Sequence, residues 1–280
     1  MTSDTNMFPA DLERRFGGLA RLYGAEGAAR IRGAHIVVVG LGGVGSWAAE
    51  AAARSGVGRL TLIDLDHIAE SNINRQIHAV DTTLGQAKVE AMSDRIARIN
   101  PDCAVTCIEE FIDTDNWPCI LALEHGFDRK QLAVIDACDQ VRAKAAMAVW
   151  AIKNKVALIS VGAAGGKRLA HRIDIDDLSL VTHDPLLAQL RYRLRKEQGA
   201  ARQGKIGVAC VFSREPVKRP SMECVVIQSE NDSTDSPEQA LVNKVQTDGS
   251  LNCHGYGSVV SVTATFGMCA AGWAFDKIAG

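Results

Sequence analysis

A β-branched run, His35-Ile36-Val37-Val38-Val39, leads straight into Gly40-Leu41-Gly42-Gly43-Val44-Gly45, and an Ala-rich segment follows from Val44 to Ser55. No other feature constrains the fold as strongly. An uninterrupted apolar run of this kind suits a strand buried on both faces. Glycines at its end let the backbone turn tightly and come close to a phosphate. The helix that begins there offers unpaired N–H groups and the positive end of its dipole. Gly56 and Gly58 end the helix, and Leu60-Thr61-Leu62-Ile63 forms the next strand, closed by Asp64. Strand, helix and strand at this spacing make a βαβ unit with parallel pairing and a right-handed crossover. Asp64 stands 24 residues after Gly40, where a carboxylate accepts hydrogen bonds from ribose hydroxyls. Gly40, Gly42, Gly43, Gly45 and Asp64 are therefore candidate nucleotide-binding residues. Alone, they would suit a dinucleotide such as NAD.

The alternation continues. The sequence predicts a helix over Gln86–Asn100, strands at Val105–Ile108 and Leu132–Ile135, a helix over Ala143–Lys153, and a strand at Ala157–Val161 running into Gly162, Gly165 and Gly166. This is an α/β chain with a Rossmann-like, doubly wound, largely parallel sheet. Residues 11–166 are read as the nucleotide-binding domain and 167–280 as a C-terminal extension packed on it. A helix is expected over Asp11–Gly33 and another over Leu186–Glu197, with a flexible loop near 229–247. From Tyr256 to Phe275 there are 20 residues without a charge, long enough to cross a bilayer. Interspersed Gly, Ser and Thr dilute the stretch and favour a helix buried against the sheet over a membrane-associated tail.

Beyond Asp64 come Asp66, then Ser71-Asn72-Ile73-Asn74-Arg75-Gln76, then Gly85-Gln86-Ala87-Lys88. Asn72, Arg75, Gln76 and Lys88 gathered beyond the carboxyl edge of a sheet make a cationic cluster. It suits a triphosphate and is surplus to a nicotinamide pocket. Taken singly, Arg75 or Lys88 would read as an ordinary solvated charge. Asp136-Ala137-Cys138-Asp139 ends a strand; Asp139 there is placed to hold Mg²⁺ beside phosphates, with Asp136 supporting the loop, although Asp139 also reads as a helix cap. The expected cofactors are ATP and Mg²⁺. The net charge of −2 excludes a global field for nucleic acid, so any RNA contact must be local. The best local patch is Arg191, Arg193, Arg195 and Lys196, a candidate tRNA contact whose other reading is a solvated helix face. The eight cysteines form no CxxC pair, which argues against a structural zinc site. Met1–Ala10 lacks the pattern of a signal peptide, so a cytoplasmic protein is expected.

The order GxGGVGS, strand-Asp64, SNxNRQ, GQxK and DAxD resembles the ubiquitin-activating and molybdopterin/thiamine adenylyltransferase (ThiF-like) superfamily. Arg15–Gly24, Gly162–Gly166, His183–Leu186, Gly207–Ser213 and Val262–Gly267 resemble, more closely, the tRNA threonylcarbamoyladenosine dehydratases within it. The resemblance implies an ATP-dependent, AMP-forming cyclisation of threonylcarbamoyladenosine at position 37 of tRNA. It assigns catalytic roles to Arg75, Lys88 and Asp139, with Asp139 on the metal. It also implies a homodimer in which an arginine crosses to the partner's ATP. The usual position of that arginine is Gly18 here, leaving Arg15 or Arg21 for the role. Cys210 matches a cysteine of the dehydratase-like segment and is a candidate thiol for sulfur or acyl transfer, or a small buried hydrophobe. A sulfur-relay protein is a further candidate partner. The alternatives are an enzyme that adenylates a ubiquitin-like sulfur carrier, an NAD enzyme, or a binding protein with a degenerate site.

Overall fold

The structure, a computed structural model, describes residues 10–123, 127–218 and 256–280. Its seven-stranded sheet uses β1 (His35–Val39), β2 (Arg59–Ile63), β3 (Ala104–Ile108), β4 (Leu132–Asp136), β5 (Ala157–Val161), β6 (Ile173–Asp177) and β7 (Ala209–Ser213). The order across the sheet is β3-β2-β1-β4-β5-β7-β6. Every pair is parallel except β6 with β7. The chain winds outward in one direction through β2 and β3, then returns to β4 on the other side of β1. That reversal opens a crevice at the carboxyl ends of β1 and β4, where the fold class binds its ligands.

Alternation along β1 divides the core. Ile36 and Val38 face one apolar layer, and Val37 and Val39 face the other. Helices α3 (Gly45–Arg54), α4 (Lys88–Ile99) and α7 (Val260–Ala279) cover the first layer; α5 (Val141–Asn154) and α6 (Pro185–Glu197) cover the second. The uncharged C-terminal stretch is thus the core helix α7, with Val262, Phe266, Ala270, Ala274 and Ile278 buried. Among the described residues no helix is long and apolar enough to cross a membrane.

The structure departs from the sequence expectation in two places. The single helix over Asp11–Gly33 is two helices, α1 (Leu12–Phe16) and α2 (Leu19–Gly33). They part at Gly17-Gly18, and α2 kinks again at Gly24, where φ is +73°. The C-terminal segment supplies β6 and β7, which the sequence reading did not place in the sheet. Their partners are distant in the chain, so no local period marks them. The loop expected near 229–247 lies outside the described residues.

One ion-pair knot joins α4 to α3. Glu50 on α3 is buried and takes Arg54 at 2.8 Å and Arg95 at 2.7 Å. Clamping α4 to α3 in this way presents Lys88, at the N-terminus of α4, to the crevice.

Candidate active site

The crevice is a cleft of about 230 Å³. Its floor is the glycine loop, with Gly40, Gly42 and Gly43 lining it beside Asp64, Asp66, Lys88 and Asp139. Two of the glycines answer to the protein itself. Gly40 has φ +87°, and Gly45 approaches so closely that an added Cβ would stand 1.7 Å from the Gly40 carbonyl oxygen. Gly42 differs: a Cβ there would meet nothing within 4 Å. The fold does not need that hydrogen atom, whereas a phosphate group lying against the backbone would.

Asp64 ties the loop down. Its carboxylate accepts from the Leu41 amide at 2.5 Å and from the Asp66 amide at 2.9 Å. Lys88 Nζ reaches Asp66 at 2.6 Å and Asp64 at 3.5 Å. The Lys88 side chain is only 7% exposed, so its charge is held at the cleft wall and does not wander in solvent.

Residues 72–76 do not line the cleft; they sit behind its glycine loop, with Arg75 against Gly43. Asn72 accepts from the Ala69 amide at 3.1 Å, and the amides of Arg75 and Gln76 return to its carbonyl. Trp47 of α3 donates to the Arg75 carbonyl at 3.0 Å. The Arg75 guanidinium donates to Ser71 and Asn74, and the Arg75 Cγ packs against Gly43, where a Cβ would come 3.2 Å from it. Arg75 Nε and Gln76 Oε1 are buried with no protein partner among the described residues. Such orphaned atoms require an acceptor and a donor from elsewhere. His78, just beyond, is held neutral: burial, then Lys88 and Arg95, lower it to about 4.

Asp139 is exposed at the end of β4, ahead of α5. Asp136 is fully buried three residues earlier. It takes Lys144 Nζ at 3.1 Å and the Ser160 hydroxyl at 2.7 Å. Burial works against the Lys144 ammonium, but Asp136 more than offsets it, so Lys144 sits above its ordinary value. Cys138, between the two acids, donates to Asp136 at 3.1 Å; burial and that carboxylate push its thiol well up.

The C-terminal half supplies the far wall: Gly162 to Gly165, Leu186 and Thr263. Asp184 anchors it, accepting from the Ala163 amide at 2.8 Å and capping α6 through Leu187 at 2.9 Å. Buried Lys167 donates to the carbonyls of His183 and Glu215. Phe111 and Ile112, after β3, close the side. Sequence reasoning missed Phe111, Leu186 and Lys144. Phe111 carries no pattern beyond an isolated apolar residue, Leu186 was read only as part of a family motif and a helix start, and a lysine in an Ala-rich helix gives no sign of burial.

The remaining expected residues lie outside the cleft. Arg15 donates to the Ile99 carbonyl at 2.8 Å, and Arg21 is exposed on α2. Cys210 is buried in β7, and that burial raises its thiol far above the ordinary value, so it sits as a core side chain with no exposed nucleophile. The basic patch on α6 is largely engaged. Arg191 donates to the Leu178 and Val181 carbonyls, Arg193 pairs with Glu197 at 2.7 Å, and Arg195 donates to the Ala201 carbonyl. Lys196 lies 5.7 Å over the Tyr192 ring. Three of the four cations thus have protein acceptors.

Residues 15–280 match the ThiF family. The chain belongs to that family. This ThiF-family chain is 41% identical to tRNA threonylcarbamoyladenosine dehydratase of Escherichia coli over 268 residues, 95% of this chain and 93% of that protein. The enzyme of the same name from Haemophilus influenzae is 42% identical over 269 residues, covering 95% and 94%. The crystal structure of the E. coli dehydratase in complex with ATP aligns with a TM-score of 0.77 and 39% identity, covering 96% of each chain.

Proposed function

We propose that this chain is an ATP-dependent tRNA threonylcarbamoyladenosine dehydratase. The observation that carries the reading is the pairing of two features. One is a glycine loop at the cleft floor whose open position, Gly42, leaves room for a close-lying ligand. The other is a likeness to the dehydratases that runs through both halves of the chain, including the far wall of the cleft. That reach, and the absence of CxxC pairs from the sequence, disfavour the reading as an adenylating enzyme for a sulfur carrier.

In this reading the nucleotide lies along Gly40–Gly45 with its ribose at Asp64 and its phosphates toward Asn72, Arg75, Gln76 and Lys88. Mg²⁺ fits the residues present: it commonly takes one or two protein carboxylates and fills its shell with phosphate oxygens and water. Among the described residues no three-ligand cluster of His, Cys, Asp or Glu exists, and Asp139 supplies the single carboxylate. Bound there, the ion would offset phosphate charge. The substrate carboxylate attacks the α-phosphorus and the bond to pyrophosphate breaks. Arg75 and Lys88, already fixed, stabilise the charge that builds. A nucleophile of the same modified nucleoside then attacks the activated carbonyl carbon. The bond to AMP breaks, a proton departs, and the lost oxygen leaves with AMP. Confining both ends makes closure unimolecular.

The same proposal includes residues 11–166 as the nucleotide-binding domain, a cytoplasmic homodimer, and Arg15 or Arg21 reaching the partner's phosphates. A sulfur-relay partner remains part of the expectation. Mass analysis of nucleosides from tRNA incubated with the protein and Mg-ATP tests the core claim. Loss of one water from threonylcarbamoyladenosine, with AMP and pyrophosphate formed, supports it; no ATP-dependent mass change overturns it.

The glycine loop gives a sharper check. Gly45→Ala drives a methyl group into backbone and lowers stability by about 1–3 kcal/mol, the usual range for overpacking. Gly42→Ala leaves the melting temperature unchanged and weakens ATP binding roughly tenfold, about 1.4 kcal/mol. Equal ATP affinity in Gly42→Ala would remove the loop from the nucleotide site.

A further inference from the structure

At the amino-terminal edge of the sheet, opposite the cleft, lies a second and wider groove of about 1080 Å³. It is framed by the starts of β5 and β7, the end of antiparallel β6 and the last turns of α7. Six cations line it: Arg30, Arg129, Lys130, Lys155, Lys205 and Lys277. Its carboxylates are Asp176 and Asp177, and Asp177 is occupied by the amides of Ser179, Ile206 and Gly207. Arg129, Lys130, Lys155 and Lys205 are exposed, and none has an ion-pair partner among the described residues. This is the reverse of α6, where Arg191, Arg193 and Arg195 all have protein acceptors.

Lys155 adds an independent argument. It caps α5 in the left-handed region, with φ +55°. Glycine or asparagine holds that position at less strain. A lysine there sets an exposed charge at the groove rim despite its backbone. Trp273, half-buried beside Lys277, supplies a flat apolar wall.

We propose that this groove docks the phosphodiester backbone of the tRNA, at a distance from the nucleotide whose base enters the cleft. Helix α7 spans the two sites, with Thr263 at the cleft and Lys277 at the groove. Fourteen residues of helix separate them, about 21 Å. An RNA that presents one base to the cleft carries its next phosphates over that distance. A row of free cations beside an aromatic face suits an RNA chain. The proposal rests on the dehydratase reading for its choice of RNA, and extends it to a surface outside the cleft.

The test is tRNA binding across a salt series in the presence of ATP, for the wild type and for the variant Arg129→Gln, Lys130→Gln, Lys155→Asn, Lys205→Gln. The variant binds tRNA at least about tenfold more weakly, and its log–log salt slope flattens by about 3 units, as four lost phosphate contacts require. Its ATP affinity and melting temperature match the wild type. A second variant, Lys155→Asn alone, melts at the same or a higher temperature yet binds tRNA less tightly; a lysine with only a structural role would leave tRNA binding unmoved. If the wild type converts the nucleoside and the fourfold variant keeps its slope and tRNA affinity, the proposal is overturned and the groove is left to an acidic protein face. If the wild type binds tRNA through the groove but performs no ATP-dependent conversion, the dehydratase reading falls while the docking surface stands.

Discussion

Asp139→Asn leaves the fold intact and lowers AMP-forming turnover at least about a hundredfold, a loss near 3 kcal/mol of transition-state stabilisation. The expectation follows from where Asp139 stands. Its side chain is exposed at the end of β4 and lines the cleft, so an isosteric amide disturbs no packing. What the substitution removes is charge at the phosphate end of the site. Arg75→Ala makes a useful contrast. That residue is buried against Gly43 and bonded to Ser71 and Asn74, so its loss costs both turnover and some stability. The measurement is pyrophosphate release under single-turnover conditions, paired with a thermal melt. An Asp139→Asn enzyme that turns over normally would place the metal and the phosphates somewhere else.

The glycine loop and the Asp64 strand end were legible because each depends on local chain chemistry. A loop that must approach phosphate has to be glycine-rich, and a strand buried on both faces has to be uniformly apolar. The sequence assigned Asp64 to ribose; the structure also gives it a role in the protein, binding the Leu41 amide and facing Lys88. The far wall of the cleft was legible only as family likeness, since nothing local in Gly162–Gly166 or His183–Leu186 says that Asp184 will cap α6 and hold Ala163 at once. The contacts of the basic run on α6 were hidden for a related reason. Charge in a sequence does not reveal whether a guanidinium will find a carbonyl, and Arg191 finds two. The groove cations come from five separate segments, so no window along the chain brings them together.

Lys144→Met is expected to destabilise the protein by about 3–5 kcal/mol, the cost of stranding one half of a buried pair. Lys144 and Asp136 are both 0% exposed. The ammonium also donates to the Val161 carbonyl at 2.8 Å and reaches Ser160 Oγ at 3.3 Å. It thereby ties the end of β4 to the end of β5, the two strands that launch opposite walls of the cleft. In the wild type the pair holds the Lys144 ammonium above its ordinary value. The stability it lends is therefore full below about pH 10, the unfolded value, and is lost only as pH climbs through the raised one. In Lys144→Met the buried Asp136 keeps the Ser160 hydroxyl but loses its cation, which is the source of the loss. Replacing both residues, Asp136→Leu with Lys144→Met, recovers at least about half of the lost stability, because no charge is stranded. Additive losses in that double variant would show that the two side chains stabilise the strand ends separately, the ammonium through Val161 and the carboxylate through Ser160.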